Sequence, residues 1–313
     1  MVQRYLDHPI TRNEVFLVSD RFNFLVIAAD GLVGNTIFRF LNQKSLVIGT
    51  SRRSSSKFIH YQIGFDSSKM DSLLENLKPN ALVINCSAIL DKEKSGTNES
   101  QVEAIMVNSL FPNMLAMSCQ KMGLRMLHIS TNAVFGSGAE SFFEYSKACP
   151  NTVYGLTKLL GEVKSGPALT IRTSLIGPSL GASKHGIWNW IKQAKKNEVL
   201  GGYINQLWSG VTTLQIAAIS EMLLDSDVFE GILRQGAVHH LCPNDPISKF
   251  ELAKLIARGI RPDVTIEPVH SELSGGPILT SNNNAMNNLM KPALWEQRIK
   301  EVIDWVANID DQI

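Results

Sequence analysis

Tyr154 and Lys158 stand four residues apart in VYGLTKLLGE, and together they carry the side chains needed to place a proton on a carbonyl oxygen. The residues around them are good helix formers, so this spacing puts both on one helix face. A free phenol ionises near pH ~10 and exchanges protons poorly at neutrality, but a neighbouring ammonium stabilises phenolate and lowers that value by roughly one to three pH units. A position in the first helical turn acts in the same direction through the helix dipole. The lysine can also hold a ribose hydroxyl, which would couple charge tuning to cofactor placement. Such a pair also arises on ordinary solvated helix faces, so its context must decide. In HISTNAVFG, Ser130 and Thr131 follow a β-rich run. A hydroxyl from Thr131 can donate to the carbonyl oxygen while Tyr154 supplies the proton, although hydroxyls at such places also serve as caps.

The elements that must position these groups are legible as an alternation of short apolar runs with helical stretches, beginning at Phe22. That rhythm predicts βαβ units and a parallel sheet covered on both faces. Six strands are expected, at Phe22 to Ala28, Ser45 to Thr50, a weak Phe58 to Ile63, Ala81 to Cys86, Arg125 to Ser130 and Ala168 to Thr173, with VHHLCP (Val238 to Pro243) as one more. The best helix runs from Val102 to Met122. The fold class is therefore α/β, a Rossmann-type doubly wound parallel sheet over residues 22–173. A smaller C-terminal substrate-binding lobe is expected over 174–313, with a segment at about 208–242 returning to the first domain. Ligands of such sheets bind at the carboxyl ends of the strands, where Thr131 falls. Ser248 and Glu251 read as a capping box opening a helix. SNNNAMNN reads as a loop, and residues 1–21 as an arm outside the sheet.

The first strand runs into Ala28, Ala29, Asp30, Gly31, Leu32, Val33 and Gly34, a turn that opens a helix. Glycines there let backbone approach a pyrophosphate, whose charge meets free N–H groups at the helix N-terminus. Ala28, Asp30, Gly31, Leu32 and Val33 are accordingly the candidate cofactor cradle, with Ala28 where a first glycine is expected. The second strand is followed by Arg52 and Arg53 rather than by an acidic residue. Guanidinium groups suit a ribose 2′-phosphate, which favours NADPH while leaving NAD possible; a solvated surface pair is the alternative. Asp66 can accept from an adenine amino group or sit in an exposed loop. The segment Asn85, Cys86, Ser87, Ala88 ends the fourth strand, where small residues leave room for cofactor phosphates and ribose, or are merely small for packing.

Composition excludes several classes. The 313 residues are 44% hydrophobic and 19% charged with a net charge of +1, too weak a field to attract nucleic acid or a membrane surface. Four scattered cysteines fit reduced thiols, and Cys149 lies close to Tyr154 without a group that would activate it. No stretch stays apolar for about 18 residues, and the N-terminus lacks the apolar run of a signal peptide, so a cytoplasmic location is expected. His239 and His240 are adjacent on a strand, point to opposite faces and read as structural, so no metal is expected. Trp188, Trp190 and Trp208 read as core or as stacking groups.

The stretch from Phe22 to about Asp304 resembles the extended short-chain dehydrogenases/reductases, in particular those like dTDP-4-dehydrorhamnose reductase. The segments that carry the likeness are DGLVG, VINCSA, VNSLFPNMLA, STNAVFG, VYGLTKLLGE, IRTSLIGP, LWSGVTTLQIA and VHHLCPNDPISKFELAKLI. The resemblance implies NADPH-dependent reduction of a 4-keto group on a nucleotide-activated deoxysugar, for surface polysaccharide assembly. It implies Tyr154 as general acid, Lys158 as charge partner and ribose anchor, Thr131 as carbonyl-polarising hydroxyl and Asn108 as support for the proton relay. Arg172 and Thr173 fall near the nicotinamide, Asn132 and Trp208 face the nucleotide-sugar substrate, and a homodimer is implied as possible. Ala28 departs from the family's phosphate loop, and Asn132 and Ala133 stand where rhamnose-pathway members usually have Asp and Tyr. Two other readings compete. One is a sugar-nucleotide epimerase or dehydratase, against which Arg52 and Arg53 argue. The other is a non-catalytic, cofactor-binding regulatory subunit such as that of methionine adenosyltransferase.

Overall fold

The computed structural model describes residues 21–55, 57–64, 66–90, 97–138, 140–180, 186–273, 275–283 and 285–310. Apart from Arg21, the expected N-terminal arm lies outside the described residues. Seven strands form the main sheet: β1 (Phe22–Ile27), β2 (Val47–Ser51), β3 (Ile59–His60), β4 (Leu77–Asn85), β5 (Arg125–Ile129), β6 (Ala168–Arg172) and β7 (Val238–His240). Their order is β7-β6-β5-β4-β1-β2-β3, every neighbouring pair being parallel. This is a doubly wound sheet whose order reverses beside β1, where such folds open a crevice for ligands.

The central strands are buried on both faces, which is why they read as continuous apolar runs rather than as alternating patterns. Successive side chains nevertheless part to opposite sides. Phe24, Val26, Leu82, Ile84 and Leu127 join Ile37 of helix α1 (Leu32–Leu41) and Ile216 and Ile219 of a later helix in one core. Leu25, Ile27, Val83 and Met126 meet Phe111 and Leu115 in the other.

The expected helix at 102–122 is a composite. Helix α2 (Ser67–Leu74) precedes it, and then α3 (Asn98–Ala104), a π-helical turn at Ile105–Leu110 and α4 (Phe111–Lys121) run on without a break. Pro112 supplies the reason: it has no N–H to give to the carbonyl of Asn108, and its ring crowds that carbonyl, so the helix widens just ahead of it. The weak strand at 58–63 shortens to Ile59–His60 at the sheet edge, and β4 begins at Leu77, ahead of the apolar run that announced it.

After β6 come helix α5's successors in the second half, α6 (Ile187–Lys192), α7 (Thr213–Met222), α8 (Ser226–Leu233), α9 (Lys249–Ile260) and α10 (Trp295–Asp310), with α5 itself at Val153–Leu160. The chain returns to the main sheet with α7, which packs on α1 and meets it through Thr36 and Thr213 hydroxyls 3.3 Å apart, and then with β7. A separate core gathers Trp188 and Ile191 of α6, Leu252 and Ile256 of α9, and Trp295 and Ile299 of α10. It is flanked by the parallel pair Val199–Tyr203 and Thr265–Val269. Ser248 caps α9 by accepting from Glu251 N–H at 3.1 Å, while both halves of a capping box are present at Thr212 and Gln215. The Asn-rich segment includes a 3-10 turn at Asn287–Leu289 and the fully buried Met286.

Ala28 has φ 59°, a left-handed conformation that costs an L-residue with a Cβ about 1–2 kcal/mol relative to glycine. Ala28→Gly removes that strain but loosens the unfolded chain, so a net gain of ~0.5–1 kcal/mol is expected. The urea midpoint, compared at unchanged slope, measures it. A midpoint that falls would show that Ala28 is unstrained.

Candidate active site

The carboxyl edge of the sheet brings together the turn after β1, Asn85 to Ser87 after β4, Ser130 and Thr131 after β5, and Arg172 and Thr173 after β6. Helix α5 lies against this edge. Thr152 caps it by accepting from Gly155 N–H at 3.0 Å, and Gly155 is glycine because a Cβ there would meet the Ala133 carbonyl oxygen at 2.4 Å. Tyr154 is half-buried in the first turn, and Lys158 lies one turn on with 1% exposure.

Lys158 is turned inward. Its Nζ donates to the Ile129 carbonyl at 2.7 Å and lies 3.4 Å from His128 Nε2. Burial pushes the ammonium down to about 8, against the opposing pull of Glu162 and of Cys86. Burial also holds His128 well below the usual imidazole range, and Lys158 adds to this. The thiol of Cys86 is pushed up to about 12, again by burial, and stays neutral. Cys86 therefore contributes bulk to the site and no thiolate.

A second buried group stands beside the first. Arg172 clamps Glu162 through two hydrogen bonds, Nε to Oε1 at 2.7 Å and Nη2 to Oε2 at 2.8 Å, and Ser130 Oγ donates to the same carboxylate at 3.0 Å. The guanidinium lies 5.1 Å from the centre of the Phe135 ring. Thr173 Oγ1 donates to the Leu241 carbonyl at 2.8 Å, tying β6 to the chain leaving β7. Arg172 and Thr173 are thus braces of the strand end. Glu162 and His128 were not singled out from the sequence, and Asn85 was named only as the start of the small-residue segment after the fourth strand. Glu162 had a signal, standing four residues after Lys158 in a stretch of helix formers.

The cofactor candidates divide into those at the α1 turn and those elsewhere. Gly31 precedes α1 with no side-chain cap and no acidic residue in the first turn, so the helix N-terminal N–H groups have no side-chain acceptor and suit an anion. A Cβ on Gly34 would sit 2.3 Å from the Ala28 oxygen, so only glycine lets the helix enter this close to the strand. Asp30, Leu32 and Val33 are half-buried around this turn. This cradle fits a dinucleotide. Arg52 pairs with Glu103 at 3.0 Å and Arg53 with Asp30 at 3.4 Å, both guanidiniums more than half exposed. Such surface pairs are worth little and exchange readily for a phosphate. Ser87 is buried and Ala88 exposed. Asp66 caps α2, accepting from Ser68 N–H at 3.0 Å and from its hydroxyl at 2.6 Å, so its carboxylate is already engaged as a cap.

Thr131 and its neighbours are placed less openly than their spacing suggested. Thr131 Oγ1 caps the 3-10 turn Asn132–Phe135, accepting from Ala133 N–H at 3.2 Å, and donates to Asn132 Oδ1 at 3.4 Å. Asn132 Nδ2 donates to the Pro277 carbonyl at 2.9 Å, so this side chain ties the strand end to the second half of the chain. Trp208 Nε1 donates to Ser174 Oγ at 2.7 Å, and its ring packs on Trp295 with centres 5.4 Å apart. It belongs to the wall of the separate core formed by α6, α9 and α10. Asn108 is fully buried in the π-helical turn; it accepts from Ile89 N–H at 2.8 Å and donates to the Ile89 carbonyl and Thr157 Oγ1, each at 3.0 Å. It brackets the loop after β4 to α5. His239 and His240 are both buried, and each ring meets a main-chain carbonyl, of Gly236 and Thr280 respectively. A cavity of about 670 Å³ opens beyond β7, with Cys242, Asn287, Lys291 and Arg298 among its lining. None of the catalytic candidates lines it, so the candidate site rests on residue chemistry and not on cavity size.

Two outcomes follow from these buried groups. Glu162→Gln strands the Arg172 charge in the core and is expected to lower stability by ~3–5 kcal/mol in urea unfolding; a loss under about 1 kcal/mol would contradict the pairing. Lys158 has a folded-state value below its unfolded one, so the folded protein binds fewer protons between about pH 8 and 10.5. Its stability cost is complete below pH 8 and fades as pH rises through that window. Lys158→Met is therefore expected to stabilise the fold at pH 7 by ~2 kcal/mol, with the gap closing toward pH ~10.5. A gap independent of pH would show that the amine is not penalised.

Residues 22–308 match the family described as RmlD substrate binding domain. A dTDP-4-dehydrorhamnose reductase from Streptomyces griseus is 31% identical over 143 residues, covering 45% of this chain and 44% of that protein. A probable low-salt glycan biosynthesis reductase from Haloferax volcanii is 24% identical over 253 residues, 77% of this chain and 81% of that one. The crystal structure of a dTDP-4-dehydrorhamnose reductase from Clostridium acetobutylicum superposes with a TM-score of 0.67 at 23% identity, covering 91% of this chain and 99% of the other. With the match running through nearly all of the described fold, the chain belongs to the RmlD family of extended short-chain dehydrogenases/reductases.

Proposed function

We propose that this protein reduces a 4-keto group on a nucleotide-activated deoxysugar with NADPH, a reaction of surface polysaccharide assembly. The observation that carries the reading is that α5, with Tyr154 and Lys158 on successive turns, packs on the 3-10 turn capped by Thr131, at the same sheet edge as the uncapped start of α1. Bound NADPH would supply hydride. The Tyr154 phenol gives its proton to the carbonyl oxygen, and the Thr131 hydroxyl turns from Asn132 to donate to that same oxygen, stabilising the charge that develops there. Lys158 turns from Ile129 toward the ribose, and its charge favours the phenolate left behind. Arg52 and Arg53 leave Glu103 and Asp30 for the 2′-phosphate. The N-terminal N–H groups of α1 hold the pyrophosphate. The substrate nucleotide lies toward the second lobe, and the enzyme works in the cytoplasm; no described helix is long and apolar enough to cross a membrane.

Loss of NADPH absorbance in the presence of dTDP-, UDP- or GDP-linked 4-keto-6-deoxysugars tests the reading, with one NADPH consumed per sugar reduced. Tight NADPH binding without oxidation by any of them would overturn it in favour of a regulatory subunit. Sugar turnover without net consumption would point to an epimerase or dehydratase. Tyr154→Phe is expected to lower kcat by ~10²–10⁴ while NADPH affinity stays nearly unchanged, because the proton is needed only in the transition state. Replacing Arg52 and Arg53 together by Ala is expected to weaken NADPH by ~10-fold or more and NADH little, as read by fluorescence titration.

A further inference from the structure

Asn85, His128 and Lys158 form a buried line beneath α5, and its hydrogen-bond directions are set from one end. The Ser87 backbone N–H is necessarily a donor and points at Asn85 Oδ1 at 3.1 Å, with Ser87 Oγ 2.7 Å from the same atom. That end of the amide is therefore the oxygen, and the NH₂ end, Nδ2, faces His128 Nδ1 at 3.2 Å. An amide NH₂ only donates, so Nδ1 is the acceptor nitrogen and the neutral imidazole carries its proton on Nε2. Nε2 lies 3.4 Å from Lys158 Nζ. Two donors cannot share that line: an ammonium has no lone pair to offer, whereas an amine has one. The bond from Nζ to the Ile129 carbonyl is open to either form. All three side chains are at most 1% exposed, so no solvent relieves the conflict.

We infer that His128 is a positioning residue that favours the amine form of Lys158 in the cofactor-free cleft, with the amine lone pair facing the imidazole N–H. The inference rests on the reading of Lys158 as the partner of the catalytic tyrosine. Lys158 becomes an ammonium only by giving up this contact, as it would on turning toward a ribose oxygen. The charged groups around it do not reverse the argument. Glu162 is already clamped by Arg172, and Cys86 is a neutral thiol. Glu103 of α3 pairs with Arg52 and Glu99 is exposed. The turns Ile105–Leu110 and Asn132–Phe135, which pack on α5, carry no charged residue. Lowering of the Lys158 value by burial acts in the same direction.

Nitrogen-15 NMR of the full chain, labelled at histidine and lysine side chains, tests the assignment without cofactor or substrate. His128→Gln and Lys158→Met identify the two signals. The expected result is a His128 ring with acceptor-type Nδ1 and protonated Nε2 from about pH 6 to 9, and a Lys158 Nζ midpoint near 8 instead of the ordinary ~10.4. In His128→Gln the amide oxygen accepts from an ammonium, so the Lys158 midpoint is expected to rise by about one pH unit or more. The opposite tautomer, an ordinary lysine midpoint in the wild type, or an unmoved midpoint in His128→Gln each overturns the inference. Should His128→Gln fail to fold, the wild-type tautomer and midpoint still decide. Absence of NADPH oxidation with the expected NMR result would sink the reductase reading alone, and oxidation with the opposite tautomer would sink this inference alone.

Discussion

Burying charge beneath the carboxyl edge of the sheet is the constraint on which the site depends. Ionised groups out of water are costly unless each is paired, and here Arg172, Glu162 and Ser130 satisfy one another while Lys158 rests on the Ile129 carbonyl. The partners come from β5, β6, α5 and the turn that follows it. Moving any of these elements by an ångström would strand a charge, so the same bonds that make the core expensive also hold α5 in one position against the strand ends. Tyr154 and Thr131 inherit that position. The placement of Tyr154 and Thr131 is thus a consequence of polar satisfaction in the core, as well as of apolar packing.

Two residues that break local rules, Ala28 and Pro112, serve this edge. Ala28 accepts a left-handed backbone where the chain turns from β1 into α1, which keeps the α1 N-terminus close to the strand end. Pro112 breaks the helical ladder at Asn108, and the resulting π-helical turn places Asn108 where it can bracket Ile89 to Thr157, one residue before Lys158. In each case a modest backbone penalty is offset by tight placement of groups around the cleft.

Several side chains offered as ligand-facing, Asp66 by its place after the third strand and Asn132 and Trp208 by the family resemblance, are engaged with protein partners in this structure. Asp66 is a cap, Asn132 joins the β5 strand end to Pro277, and Trp208 is fastened to Ser174 and Trp295. Their residue types are those that bind ligands and also those that satisfy backbone at turns, and sequence spacing alone does not separate the two uses. The reverse case is His128 and Asn85, polar residues toward the ends of apolar strands, which the register across β4 and β5 places side by side.

The amino-acid sequence by itself determined the parallel sheet, its strand run from Phe22 to Arg172, the helix carrying Tyr154 and Lys158, and the turn that opens α1. All of these follow from periodicity and short-range sterics, which act between residues near one another in the chain. Tertiary structure alone decided which hydroxyls and amides are committed to backbone, that Lys158 points into the core, and that Glu162 meets Arg172. Those outcomes depend on burial and on partners tens of residues away, where the desolvation of a charge outweighs any local preference.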